Sequence, residues 1–408
     1  MNKAESERLG SYLEQLGYQA TATAEEADFI VLNSCVVRQS AENRVINKLN
    51  AIKFLKRLNP GITLALTGCL VNSEIDQLRK SFPYVDYFFK PGDYPPWMAK
   101  QNKAGVILPQ HPSPSTFVPI IQGCDNFCSF CIVPYRRGRE RSRPLAEIVG
   151  EVKELVGRGV KEVTLLGQNV DSYGHDLPDK PDLADLLSEI NTIDGLARIR
   201  FLTNHPKDMS PKLIEAIAYL DKVCELICLP AQSGDNDILK AMRRGYTVEH
   251  YRQLITQIRS KIPRVALSTD VIVGFPSESN QQFQQTVNLL SELRFDTVHV
   301  AAYSPRPETL AAREFEDNIP LAEKRERLHI IEQLQESIAT EINAHLLDRT
   351  VEVLVEEKKK GKWQGRTRSG KLVFFNNDND CLGQLAKIRI ERTSPWSLQG
   401  KIESNSTN

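Results

Sequence analysis

Between residues 117 and 302, short apolar runs alternate with helical stretches so regularly that few folds remain open. The runs 162–166, 197–202, 225–229, 265–273 and 296–302 read as strands, and 144–157, 183–191, 211–220, 247–260 and 279–293 as helices. With Phe117-Val118-Pro119-Ile120-Ile121 as an opening strand, six βα units follow one another. Strands repeated in this way pair in parallel through right-handed crossovers, so an incomplete TIM-like (βα)6 barrel is expected. Such barrels place their chemistry where the strands end. The ends here read Gly167-Gln168-Asn169-Val170-Asp171-Ser172-Tyr173, Thr203-Asn204-His205-Pro206, Pro230-Ala231-Gln232-Ser233-Gly234, Gly274-Phe275-Pro276 and Tyr303-Ser304-Pro305-Arg306. Polar and glycine-containing termini after apolar strands suit a ligand-lined mouth.

The first strand leads into Gly123-Cys124-Asp125-Asn126-Phe127-Cys128-Ser129-Phe130-Cys131, three cysteines at C-x3-C-x2-C spacing. A loop leaving a strand end can wrap three thiolates around one face of an iron–sulfur cube and leave the fourth iron open. Zinc is the nearest rival, but structural zinc closes with four ligands, and no fourth Cys or His lies near in sequence. A disulfide reading needs an oxidising compartment and a pairing that three cysteines do not complete. The third alternative is unrelated buried thiols.

The spacing resembles that of the radical S-adenosylmethionine (SAM) enzymes. The stretch from Gly123 through Ile132-Val133-Pro134-Tyr135, followed by Arg137-Gly138-Arg139-Glu140-Arg141-Ser142-Arg143, is similar to the methylthiotransferase family within them, closest to the branch acting on dimethylallyladenosine in tRNA. The strand ends above resemble that family's core, and Gly167 to Tyr173 followed by Gly174 resembles the tRNA branch. The resemblance implies a 4Fe-4S cluster on Cys124, Cys128 and Cys131, with SAM at its open iron. Phe130 is then a neighbour of the adenine, and Gln168, Asn169, Gln232 and Ser233 are polar SAM contacts. His205 reads as a structural strand-end histidine before it reads as a proton carrier. Cys228 stands where the family has histidine, and Cys224 and Cys228 read as core thiols before a metal pair.

Ahead of the barrel, Leu9, Leu13 and Leu16 share a helical face. Phe29-Ile30-Val31-Leu32 and Ile62-Thr63-Leu64-Ala65-Leu66 read as strands around a helix from Glu42 to Leu58. Cys35 and Cys69 each leave the carboxyl edge of that parallel sheet. Spacing alone leaves them as two small core residues or as ligands. The resemblance identifies Asn33-Ser34-Cys35 and Thr67-Gly68-Cys69 as two of the three ligand motifs of an auxiliary, second 4Fe-4S cluster. Met1-Asn2-Lys3-Ala4-Glu5 matches the continuation of the motif that carries the third. A flavodoxin-like domain truncated at its N-terminus, without its first strand, is therefore expected over residues 1–112. The six prolines among residues 91–116 mark a linker to the core at 113–345.

After a long amphipathic helix at 321–347, short alternating strands at 351–355, 363–367, 372–375 and 385–390 have small-barrel spacing. Residues 347–403 hold twelve Lys/Arg and eight Asp/Glu, a local +4 in a chain whose 52 basic and 52 acidic residues cancel. The segment resembles a TRAM domain, an antiparallel RNA-binding barrel over 346–404. Lys360, Lys362, Arg366 and Arg368 are its expected phosphate contacts, and Trp363 is its expected stacking platform. Arg136, Arg137, Arg139, Arg141 and Arg143 against Glu140 give a second local +4 beside the cysteines. Such a run is a solvated face or, beside a cluster, a polyanion contact, for which Arg137, Arg139 and Arg141 are the candidates.

The reaction implied is insertion of a methylthio group at C2 of isopentenyladenosine beside the tRNA anticodon. Its implied partners are the anticodon loop, an electron donor such as flavodoxin or ferredoxin, and a sulfur source, with the enzyme a monomer. Two other readings stay open. One is a methylthiotransferase acting on threonylcarbamoyladenosine or a ribosomal protein, and the other is an RNA-binding Fe-S protein that has lost sulfur insertion. No apolar run approaches the ~18 residues of a membrane span. Eight cysteines, three in a metal-like group, fit a reducing cytoplasm.

Overall fold

The computed structural model describes residues 1–36, 39–71, 75–90, 95 and 108–403. Most of the expected linker lies outside the described residues.

The N-terminal unit has three parallel strands, β1 (Phe29–Ser34), β2 (Thr63–Gly68) and β3 (Tyr87–Phe88), in the order β1-β2-β3. Alternation along β2 divides its side chains between two layers. Leu64 and Leu66 pack with Leu49 and Ile52 of the helix Gln39–Leu58, whereas Ala65 packs with Leu9 and Tyr12 of the helix Asn2–Gln15. Helices on both faces make this a doubly wound sheet. In β1 and β2, Ser34 pairs with Gly68, so Cys35 and Cys69 leave adjacent strand ends.

The central unit opens with β4 (Ser115–Pro119) and a short antiparallel pair, β5 (Ile121–Gln122) and β6 (Arg141–Ser142), that closes the base of the cysteine loop. The parallel strands β7 (Glu162–Leu166), β8 (Arg198–Phe201), β9 (Leu226–Cys228), β10 (Ala266–Val273) and β11 (Thr297–Ala302) follow. They form two sheets, β4-β7-β8 and β9-β10-β11, bridged in parallel at Ile199 and Val223. Six βα strands therefore wrap in order, with no pairing between β4 and β11 among the described residues. The core is aliphatic, from Val118 and Ile120 through Leu165, Ile199 and Ile227 to Val271 and Val273. The helix Leu321–Ala344 lies along the β11 edge. Besides Ile331 and Ile338 it buries Lys324, Arg327, Gln335 and Asn343. Gln335, for example, donates to the carbonyls of Phe295 and Asp296 at 3.2 Å.

The C-terminal barrel closes as β12-β13-β14-β16-β15, from β12 (Thr350–Lys359), β13 (Lys362–Thr367), β14 (Leu372–Asn376), β15 (Leu385–Thr393) and β16 (Leu398–Ile402). Four of its five pairings are antiparallel as expected, and β14 and β16 pair in parallel. The barrel docks on the amino-terminal ends of the central strands. Arg198, at the start of β8, donates to Arg366 O and Glu352, and Arg200 donates to the carbonyls of Thr367 and Arg368. Lys371 pairs with Asp296 just before β11 at 2.7 Å. The cysteine loop follows β4 at the opposite, carboxyl end.

Candidate active site

The loop from Gly123 to Cys131 is shaped mainly by backbone bonds. Gly123 sits at φ +82°, and a Cβ there would stand 2.0 Å from Arg139 O, so the position requires glycine. Its N–H donates to Gln168 Oε1 at 2.7 Å, and Cys124 N donates to Gly138 O at 3.2 Å. Asp125 and Glu140 exchange backbone-to-carboxylate bonds at 3.1 and 3.2 Å, which pins the two limbs of the loop together. On the far limb, Ser129 donates through its hydroxyl to Ala241 O at 2.7 Å and through its N–H to Met242 O at 3.0 Å.

Burial pushes the Cys124 thiol up to about 11 and the Cys131 thiol up to about 12. Thiolates form there when a metal or a fixed cation stabilises their charge. A cation is in place: Arg244 Nη1 lies 3.2 Å from Cys128 Sγ. Three soft thiol donors beside a buried guanidinium fit an anionic iron–sulfur cluster. Among the described residues, no group of three or more His, Cys, Asp or Glu is placed to hold a single metal ion.

Beside Cys131 a cavity of about 520 Å³ is lined by Phe130, Gln232, Asp270, His299, Tyr303 and Arg306, among others. Phe130 packs against Ile238, Met242 and Phe275, which fixes its ring. Gln232 adopts φ +66°, and its buried Oε1 has no hydrogen-bond partner among the described residues. An unpaired buried carbonyl is unfavourable, and a ligand hydroxyl or amine would satisfy it. The other three residues expected around SAM do not line this cavity. Gln168 holds Gly123. Asn169 is 2% exposed and donates to Asp208 Oδ2 at 2.7 Å, with its own Oδ1 unpartnered among the described residues. Ser233 accepts from Asp235 N at 3.2 Å and meets Thr286 Oγ1 at 3.4 Å, so it braces a turn.

The N-terminal unit covers this mouth. Cys69 packs with Val36 and with Ile132, the residue after Cys131, so the Cys35–Cys69 edge faces the cysteine loop. Burial pushes the Cys69 thiol up, and Arg137 beside it pulls it back. Arg306, buried beside β11, donates to Gln39 Oε1 and Glu42 of the helix Gln39–Leu58. Sequence reading missed Arg244, whose partner Cys128 lies 116 residues away, and placed Arg306 at a strand end without its partners Gln39 and Glu42, which only the fold brings near.

Several nucleic-acid expectations need correction. Arg137 is 5% exposed and bonded to Glu5 and Asn2, which removes it from any RNA-facing surface. Arg368 is held by Glu225 and Val223 O, as a tie between barrel and core. Trp363 fills the small-barrel core at 5% exposure and donates from Nε1 to Asn377 O, so its ring offers no free face for a base. Lys360 and Lys362 are exposed, Arg141 is exposed, and Arg139 and Arg366 are exposed while pairing with Asp125 and Glu356.

His205 is buried, and burial first, then Arg244 and Lys207, push it down to about 2. It is a neutral histidine set edge-on to Tyr246, ring centroids 5.8 Å apart. Cys224 is buried and Cys228 is half-buried, both free thiols.

Residues 118–290 match the Radical SAM superfamily, residues 1–90 match Uncharacterized protein family UPF0004, and residues 347–402 match the TRAM domain. The chain is 55% identical over 402 residues to a tRNA-2-methylthio-N(6)-dimethylallyladenosine synthase of Dehalococcoides mccartyi strain CBDB1, covering 98% of this chain and 96% of that one. A protein of the same name from Moorella thermoacetica is 42% identical, covering 98% of this chain and 96% of that protein. Among solved structures, the radical S-adenosylmethionine methyltransferase TsrM of Kitasatospora setae superposes with a TM-score of 0.57. At 14% identity, over 76% of this chain and 72% of that one, the likeness concerns the fold.

Proposed function

The chain belongs to the tRNA-2-methylthio-N(6)-dimethylallyladenosine synthases, a family of radical SAM methylthiotransferases, and we propose how its own residues divide that work. It is a transferase that adds a methylthio group to a tRNA adenosine, using SAM-derived radical chemistry. Cys124, Cys128 and Cys131 hold a 4Fe-4S cluster. With SAM bound, this cofactor pair supplies the one-electron chemistry that an aromatic C–H beside ring nitrogens demands, since such a carbon offers no acid for a side chain to deprotonate.

The chain's residues position and shield. Phe130 and Gln232 form one wall of the cavity beside Cys131 and take up SAM, with the Gln232 Oε1 accepting from a polar group of the ligand. Gln168 and Gly123 keep the loop in shape. Arg306 clamps the N-terminal unit across the cavity mouth through Gln39 and Glu42 and excludes water. Cys35 and Cys69 would be ligands of an auxiliary cluster that supplies the sulfur, a reading supported by the packing of Cys69 against Ile132 beside the three-cysteine loop. Arg139 and Arg141 near the mouth, and Lys360, Lys362 and Arg366 at the far end, meet phosphates of the tRNA. The anticodon loop is a fitting substrate because its unpaired bases are accessible. The enzyme works as a cytoplasmic monomer with a low-potential electron donor, a flavodoxin or ferredoxin, and a separate sulfur source.

The observation that carries this reading is the packing of Cys69 against Ile132, beside the three-cysteine loop. Anaerobic reconstitution tests it. Wild type should bind iron at both sites and cleave SAM under dithionite. Cys124→Ala, Cys128→Ala and Cys131→Ala should each abolish cleavage, and Cys69→Ala should lower iron content yet leave cleavage. Cleavage that survives any one of the first three contradicts the assignment.

A further inference from the structure

Five arginines are buried among the described residues: Arg198, Arg200, Arg244, Arg306 and Arg327. Four of them face a carboxylate. Arg198 and Arg200 face Glu162, Arg306 faces Glu42, and Arg327 pairs with Glu278. Arg244 is the exception. No carboxylate pairs with it among the described residues, although it is 5% exposed. Its bonds go to Cys128 Sγ at 3.2 Å, to Pro230 O at 3.3 Å and from Nε to Tyr246 Oη at 3.1 Å, and the guanidinium lies 5.4 Å from the Tyr246 ring centroid. Tyr246 donates in turn to the backbone carbonyls of Pro230 and Ala231. Arg243 in the left-handed conformation, φ 56°, turns the chain so that Arg244 runs inward. A desolvated guanidinium without a counter-charge is strongly unfavourable, so the position is arranged around an anion that the protein alone does not provide.

We propose that Arg244 is the fixed counter-ion of the cluster on Cys124, Cys128 and Cys131, and that it raises the cluster's reduction potential. The inference rests on the cluster assignment made above. In the step concerned, a low-potential one-electron donor passes one electron to the cluster. No bond in the protein is made or broken, and the cluster with its thiolates becomes more negative by one charge. A cation 3.2 Å from a ligating sulfur stabilises the reduced form more than the oxidised one. Arg244 is a positioning residue here, since it acts through the cluster. The hydrogen bond to sulfur and the full charge act in the same direction, and only an arginine supplies both while also reaching Pro230 and Tyr246.

The test is potentiometric titration of the reconstituted full-length enzyme without SAM or tRNA, following the reduced cluster by electron paramagnetic resonance and counting iron. Arg244→Gln should keep its iron. Its reduction equilibrium should be at least about tenfold less favourable, which for a one-electron couple is a midpoint about 59 mV more negative. Arg244→Lys, which keeps the charge and loses the fork, should fall between the two. A wild-type midpoint in Arg244→Gln with full iron content overturns the proposal. If Arg244→Gln loses its iron, thermal unfolding of the metal-free proteins decides. Removing an uncompensated charge should leave metal-free Arg244→Gln melting no lower than metal-free wild type, and a lower melting point makes Arg244 a packing residue and overturns the proposal. Failure of the underlying cluster assignment is separate, because wild type would then bind no cluster or Cys128→Ala would retain it.

Discussion

Arg137, the last residue of the short helix Val133–Arg137 after the cysteine loop, is bonded to the Glu5 carboxylate of the first helix, and the same guanidinium reaches Asn2 Oδ1 at 2.8 Å. The pair joins the two units that carry cysteines, and it lies at the side of Cys69. Arg137→Ala leaves a part-buried carboxylate unpaired and should destabilise the docking of the N-terminal unit by about 3 kcal/mol. Limited proteolysis and denaturant unfolding should detect early release of residues 1–90. SAM cleavage should persist while methylthiolation falls steeply.

Gly123→Ala places a methyl group against Arg139 O at φ +82°. The limbs braced by Asp125 and Glu140 would have to separate. The expected outcome is a folded protein with markedly reduced iron after reconstitution, read by iron analysis and circular dichroism together.

The barrel strands were legible because apolar runs of strand length alternate with periodic helices from 117 to 302, and the resulting six-strand order is the observed one. The cysteine loop was legible from spacing. The roles of single arginines were not. Arg137, Arg143 and Arg368 look like surface charge in sequence, yet their partners are Glu5, Glu151 and Glu225, which only folding brings near. Trp363 misled for a related reason: in a five-stranded barrel one large ring can fill much of the core, and alternation does not say which face is inside. Ser233 follows a strand end in sequence, but the left-handed turn at Gln232 directs it to Thr286.

His205 gives a pH signature. Its folded pKa, about 2, lies below the ordinary 6.5, so the neutral ring contributes stability that is complete above 6.5 and is lost as the pH falls. The loss should approach about 1.4 kcal/mol per pH unit below that value. Asp171 acts with the opposite sign. Burial raises it to about 7, giving stability that is complete below 3.8 and gone as the pH climbs through 7. His205→Gln leaves Asp171 in place, so the difference between the two proteins' melting temperatures should shrink from pH 7 to pH 5. A difference that stays constant would show that His205 titrates normally.

The C-terminal barrel sits at the end of the strands away from the cysteines, so its lysines should govern affinity and not chemistry. Lys360→Glu with Lys362→Glu should weaken tRNA binding and flatten its salt dependence by roughly 0.7 to 0.9 per lost phosphate contact. SAM cleavage without RNA should be unchanged. Deleting residues 347–408 is expected to do more, because Arg198 and Arg200 lose their acceptors on the barrel. Loss of the core's cooperative unfolding would report this.

On the function proposed above, this chain places a methylthio group on dimethylallyladenosine in tRNA through Cys124, Cys128 and Cys131. Mass spectrometry of tRNA nucleosides tests it most directly, in a strain that makes the isopentenylated base but cannot methylthiolate it. Expression of the wild-type chain should convert that nucleoside to its 2-methylthio form and leave threonylcarbamoyladenosine unmodified, and Cys128→Ala should convert none. Methylthiolation of threonylcarbamoyladenosine instead, or conversion that persists in Cys128→Ala, would contradict it.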